Sequence, residues 1–580
     1  MNADERRSEG GPSNPHILKL SAFICVHLRF LVVVVVLICG SCGRDIGRGG
    51  TGELVVARPV LREVEAVEPA QFATSQPTTI PSTLPATRPL PEAATERALT
   101  IFEARQLALR NNLDLRVDLF NPTIVRESIN QEEARFESLF TGTIDYGKSD
   151  SPSANQVSQQ LSGNQSESFG FRPGLRVPLR TGGSVEVGVP INRFESDSPS
   201  ALLNPSYTSD LAVTLTQPLL RGGGIDVNAQ GIRIAFYAYQ QAQARTKLSV
   251  IAVLTDVDRV YWRLYAAREA LRVRVAEYDL AVAQLDRARG MVAGGAMPAV
   301  EIVRAQSGVA DRVEQIIIAD NFVRDRERDL KRILNAPGLD MQSPTALAIA
   351  SDPRPVYYQV DPNLMISRAM QGRMELLDLE LQLARETSDV RVARNGLLPF
   401  VSLQYTYNIN GLGGSMNDAF EELEDSNFVD HRLGVNLEVP IGNAGARSRV
   451  RQSMLSRMQT LATVEQRELA IRQEVLNAID QLEANWQRIL AARQRVLAES
   501  RVLEVEIRQF EEGLRTSTEV LEAQTRLANA RLSEISAVTE YQIAQVDIAF
   551  ATGTVLGASR VLWEPAKLSS TTHPSGDLTR

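Results

Sequence analysis

A chain of 580 residues exceeds one ordinary core, so several domains or one very elongated body are expected. The net charge of −8 leaves no nucleic-acid footprint, and the three cysteines (Cys25, Cys39, Cys42) all precede residue 43, which removes a disulfide framework or cysteine-based metal site from the body. Four scattered histidines provide no metal centre, and a 6% aromatic content fits long helices better than a compact enzyme core, so no catalytic residue, metal or cofactor is expected.

The first element is an apolar run from Phe30 to Ile38, preceded by Arg29, Lys19 and Arg6-Arg7. It is too short to span a bilayer and suits the core of a signal peptide over 1–41. Gly40-Ser41-Cys42 follows and resembles a bacterial lipoprotein cleavage box, which would make Cys42 the acylated first residue of the mature chain; ordinary cleavage nearby is the other reading. Gly43 is not the Asp that retains many such lipoproteins in the inner membrane, so the resemblance favours the outer membrane. Residues 42–98 are rich in Pro, Thr, Ala and Gly and cannot bury enough apolar surface to order themselves, so they read as a tether.

From residue 99 the chain follows one plan twice, over 99–336 and 361–556, with a connecting segment at 337–360 and a polar tail at 557–580. Each copy opens with short amphipathic helices (99–112 and 362–372, each followed by another). Strand-like segments come next, at 140–148, 169–179, 184–194 and 207–217 in the first copy and 400–410 and 431–439 in the second. Val185, Val187, Val189 and Ile191 alternate with Glu186, Gly188, Pro190 and Asn192; Leu433, Val435 and Leu437 alternate with Gly434, Asn436 and Glu438. Thr181-Gly182-Gly183 reads as a hairpin turn. A half-exposed soluble sheet would show the same alternation. Six short strands in two distant groups lack a core of their own, however, whereas lipid on one face and water on the other suits them. Glu421-Glu422 lies in what reads as a polar loop.

A very long helix then begins in each copy, spanning hairpins at 225–336 and 443–556. Val257, Tyr261, Leu264, Arg268, Leu271 and Val275 step by four and three, as do Val475, Ile479, Leu482, Trp486, Ile489 and Arg493. Arg263-Leu-Tyr-Ala-Ala-Arg268 matches Arg488-Ile-Leu-Ala-Ala-Arg493. The reversals fall at Gly294-Gly295-Ala296-Met297-Pro298 and Gly513-Leu514-Arg515-Thr516, and the returning helices open alike, from Glu301 to Gln306 and from Glu519 to Gln524. Arg268 to Gln306 and Arg493 to Gln524 differ by one heptad, the insertion length that preserves such a stripe. At 1.5 Å per residue the long helices reach roughly 100 Å. Trp262 and Trp486 read as helix packing. One copy cannot close a barrel from these strands, and lipid does not tolerate an open sheet edge, so several copies around an axis are required.

Residues Leu99 to Asn112, the corner Leu215-Thr-Gln-Pro-Leu-Leu-Arg-Gly-Gly223 and the segment Gly513 to Ala530 together resemble TolC-type outer-membrane efflux proteins, with coverage from about 99 to 556. The resemblance implies an α+β, mainly helical fold: a homotrimer whose twelve-stranded transmembrane β-barrel continues into an α-helical coiled-coil barrel. The extra hairpin across 169–194 departs from four strands per protomer, and either adds barrel strands or extends outside. The implied role is a passive duct in the outer membrane, in contact with its lipid, that carries substrates from an inner-membrane pump with a periplasmic adaptor in efflux or type I secretion. The alternative is a periplasmic coiled-coil adaptor or scaffold lipoprotein. Gly294, Gly295, Met297, Pro298, Gly513 and Leu514 would form the adaptor-docking turns. By the same resemblance Arg515 is a gating Arg, Glu519 and Glu522 fall on the acidic pair at the tunnel mouth, and Glu301 matches an acid of the first hairpin. Phe510 and Val300 replace polar members of that network. Thr516-Ser-Thr-Glu519 also reads as a capping box, the local alternative for Glu519.

Overall fold

The computed structural model describes residues 95–152 and 165–561. The leader, Cys42, nearly all of the tether and Trp563 with most of the tail lie outside these residues.

Strand β1 (Glu96–Leu99) leads into helix α1 (Ile101–Asn111), which Thr100 and Glu103 start with a capping box. Helix α2 (Asn121–Glu133) follows a short helical turn at Leu113–Asp118. Five strands come next: β2 (Leu139–Asp150), β3 (Gln165–Pro178), β4 (Ser184–Gly188), β5 (Ile191–Ser196) and β6 (Ser206–Pro218). The first long hairpin is α3 (Gln230–Ala293) with α4 (Val300–Leu334). Strand β7 (Ala346–Ile349) pairs in parallel with β1. The second copy then runs through α5 (Pro362–Gly372), α6 (Met374–Asn395), β8 (Phe400–Gly413), α7 (Met416–Asp425), β9 (Val429–Glu438), α8 (Ala444–Glu511) and α9 (Ser517–Ala551). No helix among the described residues is long and apolar enough to cross a membrane, which says nothing of a β-barrel.

Two expectations are corrected. The sequence assigns residues 96–99 and 346–349 to tether, helix start and connecting chain, yet they form a two-stranded sheet. Its Leu99 and Leu347 are buried beside Tyr261, Leu264 and Leu334, and the Tyr261 hydroxyl donates to the Leu99 carbonyl at 2.9 Å. Glu421-Glu422 lies on helix α7, not in a loop. Ser415 and Asp418 start α7 with a capping box, and Ala419 is buried against β8.

The large sheet is antiparallel, in the order β2-β3-β4-β6-β8-β9, with β5 between β3 and β6. Strands β4 and β5 are one strand path. Gly188 faces Gly174 and Ala212, and three residues on Ile191 faces Phe171 and Ser209, so the register passes Val189-Pro190 unchanged. Pro190 interrupts the ladder because it has no N–H to donate. Its carbonyl still accepts from Asp210 at 3.0 Å. The hairpin across 169–194 therefore lies inside the sheet, flanked by β2 on one side and β6 on the other.

The helices form a layer four abreast. Near the turns the order is α8, α9, α3, α4; near the sheet it is α8, α6, α3, α2. The 64-residue α3 and 68-residue α8 run through both levels, while the returning 35-residue α4 and α9 stop half-way. Shorter helices continue their columns, α6 following α9 and α2 following α4. At the first junction Arg373, buried at the start of α6, donates to the carbonyl of Ala551 at 3.2 Å. At the second, Asn112 donates to the carbonyl of Ile333 at 3.0 Å. Trp262 lies edge-on to Tyr261 and Tyr265, and Trp486 packs between Tyr357 and Tyr541, so both indoles are helix packing.

Candidate functional site: the paired helical turns

Both long helices end in the same motif. At the first turn the N–H of Ala296 reaches back to Met291 O and that of Gly295 to Val292 O; at the second, Leu514 reaches Gln509 O and Gly513 reaches Phe510 O. This is the Schellman arrangement, which needs a left-handed residue after the cap. Gly295 and Gly513 supply it, each with φ of +74°. Gly294 keeps ordinary helical geometry at the cap of α3. Pro298 precedes the first turn of α4, where its carbonyl accepts from Glu301.

The structure brings the two turns together. Phe510, Val520, Ala305 and Leu527 are buried in one cluster, against which Met297 packs. Phe510 therefore fills the core, while Val300 is exposed. Leu514, 72% exposed, projects from the second turn.

Glu301 crosses between the hairpins. One carboxylate oxygen accepts from the Ser517 N–H at 2.9 Å, and the other pairs with Arg304 at 2.6 Å. An N–H in the first turn of a helix has no intrahelical partner, so this buried acid supplies one for α9. Glu519 is engaged locally. It accepts from the Thr516 N–H at 2.7 Å and hydroxyl at 3.2 Å, and pairs with Arg515 at 2.6 Å. Those bonds, the Thr516 N–H first and Arg515 next, hold the Glu519 carboxyl below its ordinary range. Arg515 in turn donates to Gln509 at 3.0 Å and approaches Glu506 at 3.5 Å on α8. Glu522 is different: it is exposed, and among the described residues its recorded ion pair is Arg526 at 4.0 Å.

Sequence reasoning missed Ser517, Gln509 and Glu506, and also a buried triad further from the turns. There Glu277 lies 2.8 Å from Arg274 and 3.3 Å from Arg312, whose guanidinium also reaches the carbonyl of Leu521 at 3.3 Å. The triad ties α3, α4 and α9 together. Among the described residues no acid, His or Cys cluster could hold a metal ion.

Known proteins share this plan. The family model described as outer membrane efflux protein matches residues 365–554, the second copy of the repeat. Over those residues the chain matches the outer membrane efflux protein family. It is 23% identical over 364 residues to the outer membrane protein TolC of Salmonella enteritidis, covering 61% of this chain and 70% of that one. The pyoverdine export outer membrane protein OpmQ of Pseudomonas aeruginosa is 24% identical over 342 residues, 58% of this chain and 65% of its own. In fold, the CmeC outer membrane channel of Campylobacter jejuni superposes with a TM-score of 0.58 at 15% identity, covering 78% of this chain and 85% of that one. VceC of Vibrio cholerae gives 0.56 at 12% identity, covering 78% and 96%. By name these relatives and structural neighbours are outer membrane proteins and channels, and this chain shares their fold.

Proposed function

We propose that this protein is the outer-membrane duct of a tripartite export machine, assembled as a homotrimer with a periplasmic adaptor and an inner-membrane pump. The observation that carries the reading is an amphipathic sheet with both outer edges open, from which two matched coiled-coil hairpins hang. A sheet in lipid must close, and three copies around an axis close the sheet and the helix layer together. The paired turns lie at the far end of helices roughly 100 Å long, a length suited to crossing the periplasm. There Gly294, Gly295, Met297, Pro298, Gly513 and Leu514 present the surface an adaptor grips. Three-fold repetition of Arg515, Glu519 and Glu522 forms a charged ring at the mouth, with Glu301 holding the two hairpins of each copy in register. An acidic ring attracts cations and repels anions. The names of the relatives support an outer-membrane export channel, and the sheet and twin hairpins favour a duct over a scaffold lipoprotein. Native mass spectrometry of the detergent-extracted protein tests the assembly: a trimer is expected, and a stable monomer would sink the reading.

A further inference from the structure

We infer that all six strand paths of each chain form the barrel wall, so that three copies build a barrel of eighteen strands, joined at seams between β9 of one copy and β2 of the next. The inference rests on the trimeric duct proposed above and adds its strand count and its subunit interface.

Connectivity comes first. The strands that join the helices are β2, entered from α2; β6, leaving toward α3; β8, entered from α6; and β9, leaving toward α8. These four must stand in the wall if the tunnel continues the barrel. Within the sheet, β2 and β6 do not touch: β3 and the β4–β5 path lie between them, hydrogen-bonded on both sides. A wall containing β2 and β6 therefore contains the two paths between them.

The faces agree across the whole sheet. Registered neighbours Phe140, Leu175, Val187, Val213, Tyr407 and His431 share one face, and the next row on that face runs through Val185, Leu215, Tyr405 and Leu433. The opposite face carries Thr141, Arg176, Glu186, Thr214, Thr406 and Arg432. The apolar face thus spans the inner hairpin as fully as the strands that carry helices, as a lipid-facing wall requires. Strands of 13 or 14 residues at β3, β6 and β8 exceed the roughly 9–11 needed to cross a bilayer.

The edges fit a second copy. β2 has 12 residues, β9 has 10, and each is paired along one side. Six paths of alternating direction leave β2 and β9 antiparallel, so copy-to-copy pairing continues the antiparallel ladder. Ile144 on β2 and Leu433 on β9, each 70% exposed, lie on the shared apolar face and continue it across the seam. Barrels of 16–18 strands enclose an aqueous channel.

Nitroxide labels at Leu175 and Val187, on the inner hairpin, test the wall, with Leu215 on β6 as the reference. In reconstituted trimers all three sites should be relaxed by lipid-soluble oxygen and shielded from a water-soluble nickel complex. Leu175 and Val187 open to the nickel complex, in protein that is trimeric by native mass spectrometry, would overturn the eighteen-strand wall and leave the duct standing. Failure to form trimers at all would instead overturn the duct reading on which it rests. For the seam, Ile144→Cys combined in turn with Leu433→Cys, Val435→Cys and Leu437→Cys scans the register in single steps of two. One of these pairs should give a covalent trimer on oxidation; none doing so would refute the β9–β2 seam.

Discussion

Asn112 and Arg373 occupy the same place in the two repeats, directly after α1 and α5, and they do the same work with different chemistry. Each donates to a last-turn carbonyl of a returning helix, Ile333 or Ala551, which has no intrahelical partner. Arg373 is also held by Glu375 at 2.8 Å and Glu474 at 2.8 Å, and Arg467 bridges the same acids. Breaking the ion pairs of a buried arginine costs up to about 3–5 kcal/mol, less where a partner reaches solvent as Glu474 does, whereas losing a buried neutral hydrogen bond costs about 1–3 kcal/mol. Thermal denaturation should accordingly rank Arg373→Ala as more damaging than Asn112→Ala; the reverse order would refute the shared capping role. At the turns, Glu519 has a lowered carboxyl pKa, from the Thr516 N–H first and Arg515 next. Its contribution is present above the ordinary value of 4.5 and is lost as pH falls through the lower folded value. The stability gap between the native protein and Glu519→Gln should therefore close as pH falls below the ordinary carboxylate range, and a gap independent of pH would contradict this. Since Glu519 is committed to the cap and Glu522 is exposed, Glu522→Ala should lower cation selectivity in planar bilayers without changing thermal stability. Glu519→Ala should lower both. Unchanged selectivity in the double variant would leave the pair as helix-start acids. The cap was legible because Thr516 and Glu519 lie three residues apart; the Arg515–Glu519 pair, four apart, was within the same reach but was not read. The bond from Ser517 to Glu301 spans 216 residues and left no local pattern to find.

Among the elements, the strands and long helices were readable because each repeats its period many times. The alternation of β8 and β9 and the four-three steps of α3 and α8 outweigh any single residue. β1 and β7 are four residues each, too short to show a period, and their pairing depends on a partner 250 residues away. Helix α7 did carry a signal: Ser415 and Asp418 have capping-box spacing before Ala419, Phe420 and Leu423, and its acidic surface hid it. The turns are the elements most exposed to test. A side chain in the left-handed region costs roughly 1–2 kcal/mol, so Gly295→Ala and Gly513→Ala should each lower the midpoint of thermal unfolding. Neither glycine has a neighbour that an added methyl group would strike, so φ alone is at issue. Equal stability of both variants would argue against the Schellman geometry. A photo-crosslinker at Leu514 or Met297 should capture a periplasmic adaptor in intact cells, and capture confined to extracellular proteins would reverse the orientation.

For the molecule as a whole, the N-terminal attachment remains a proposal from Gly40-Ser41-Cys42, since Cys42 lies outside the described residues. Mass spectrometry of the mature protein should find an acylated Cys42 as residue one; an unmodified N-terminus elsewhere would remove the anchor. The repeat in the sequence foretold twin hairpins, but the inner β3–β4–β5 path could be placed neither in nor out of the wall, because alternation marks a strand and not its neighbours. The sheet also limits how such a molecule can diverge. The two strand groups contribute four paths and two, and both numbers are even, so every tunnel helix leaves the sheet from one side, with α7 in the β8–β9 connection at the other. A single strand gained or lost would throw a hairpin to the opposite side of the membrane, whereas a β-hairpin inserted at the far loops leaves the tunnel untouched. Under three-fold symmetry the calibre of the pore then changes only in steps of six strands. Its width in the membrane is free to evolve apart from the helices that meet the pump.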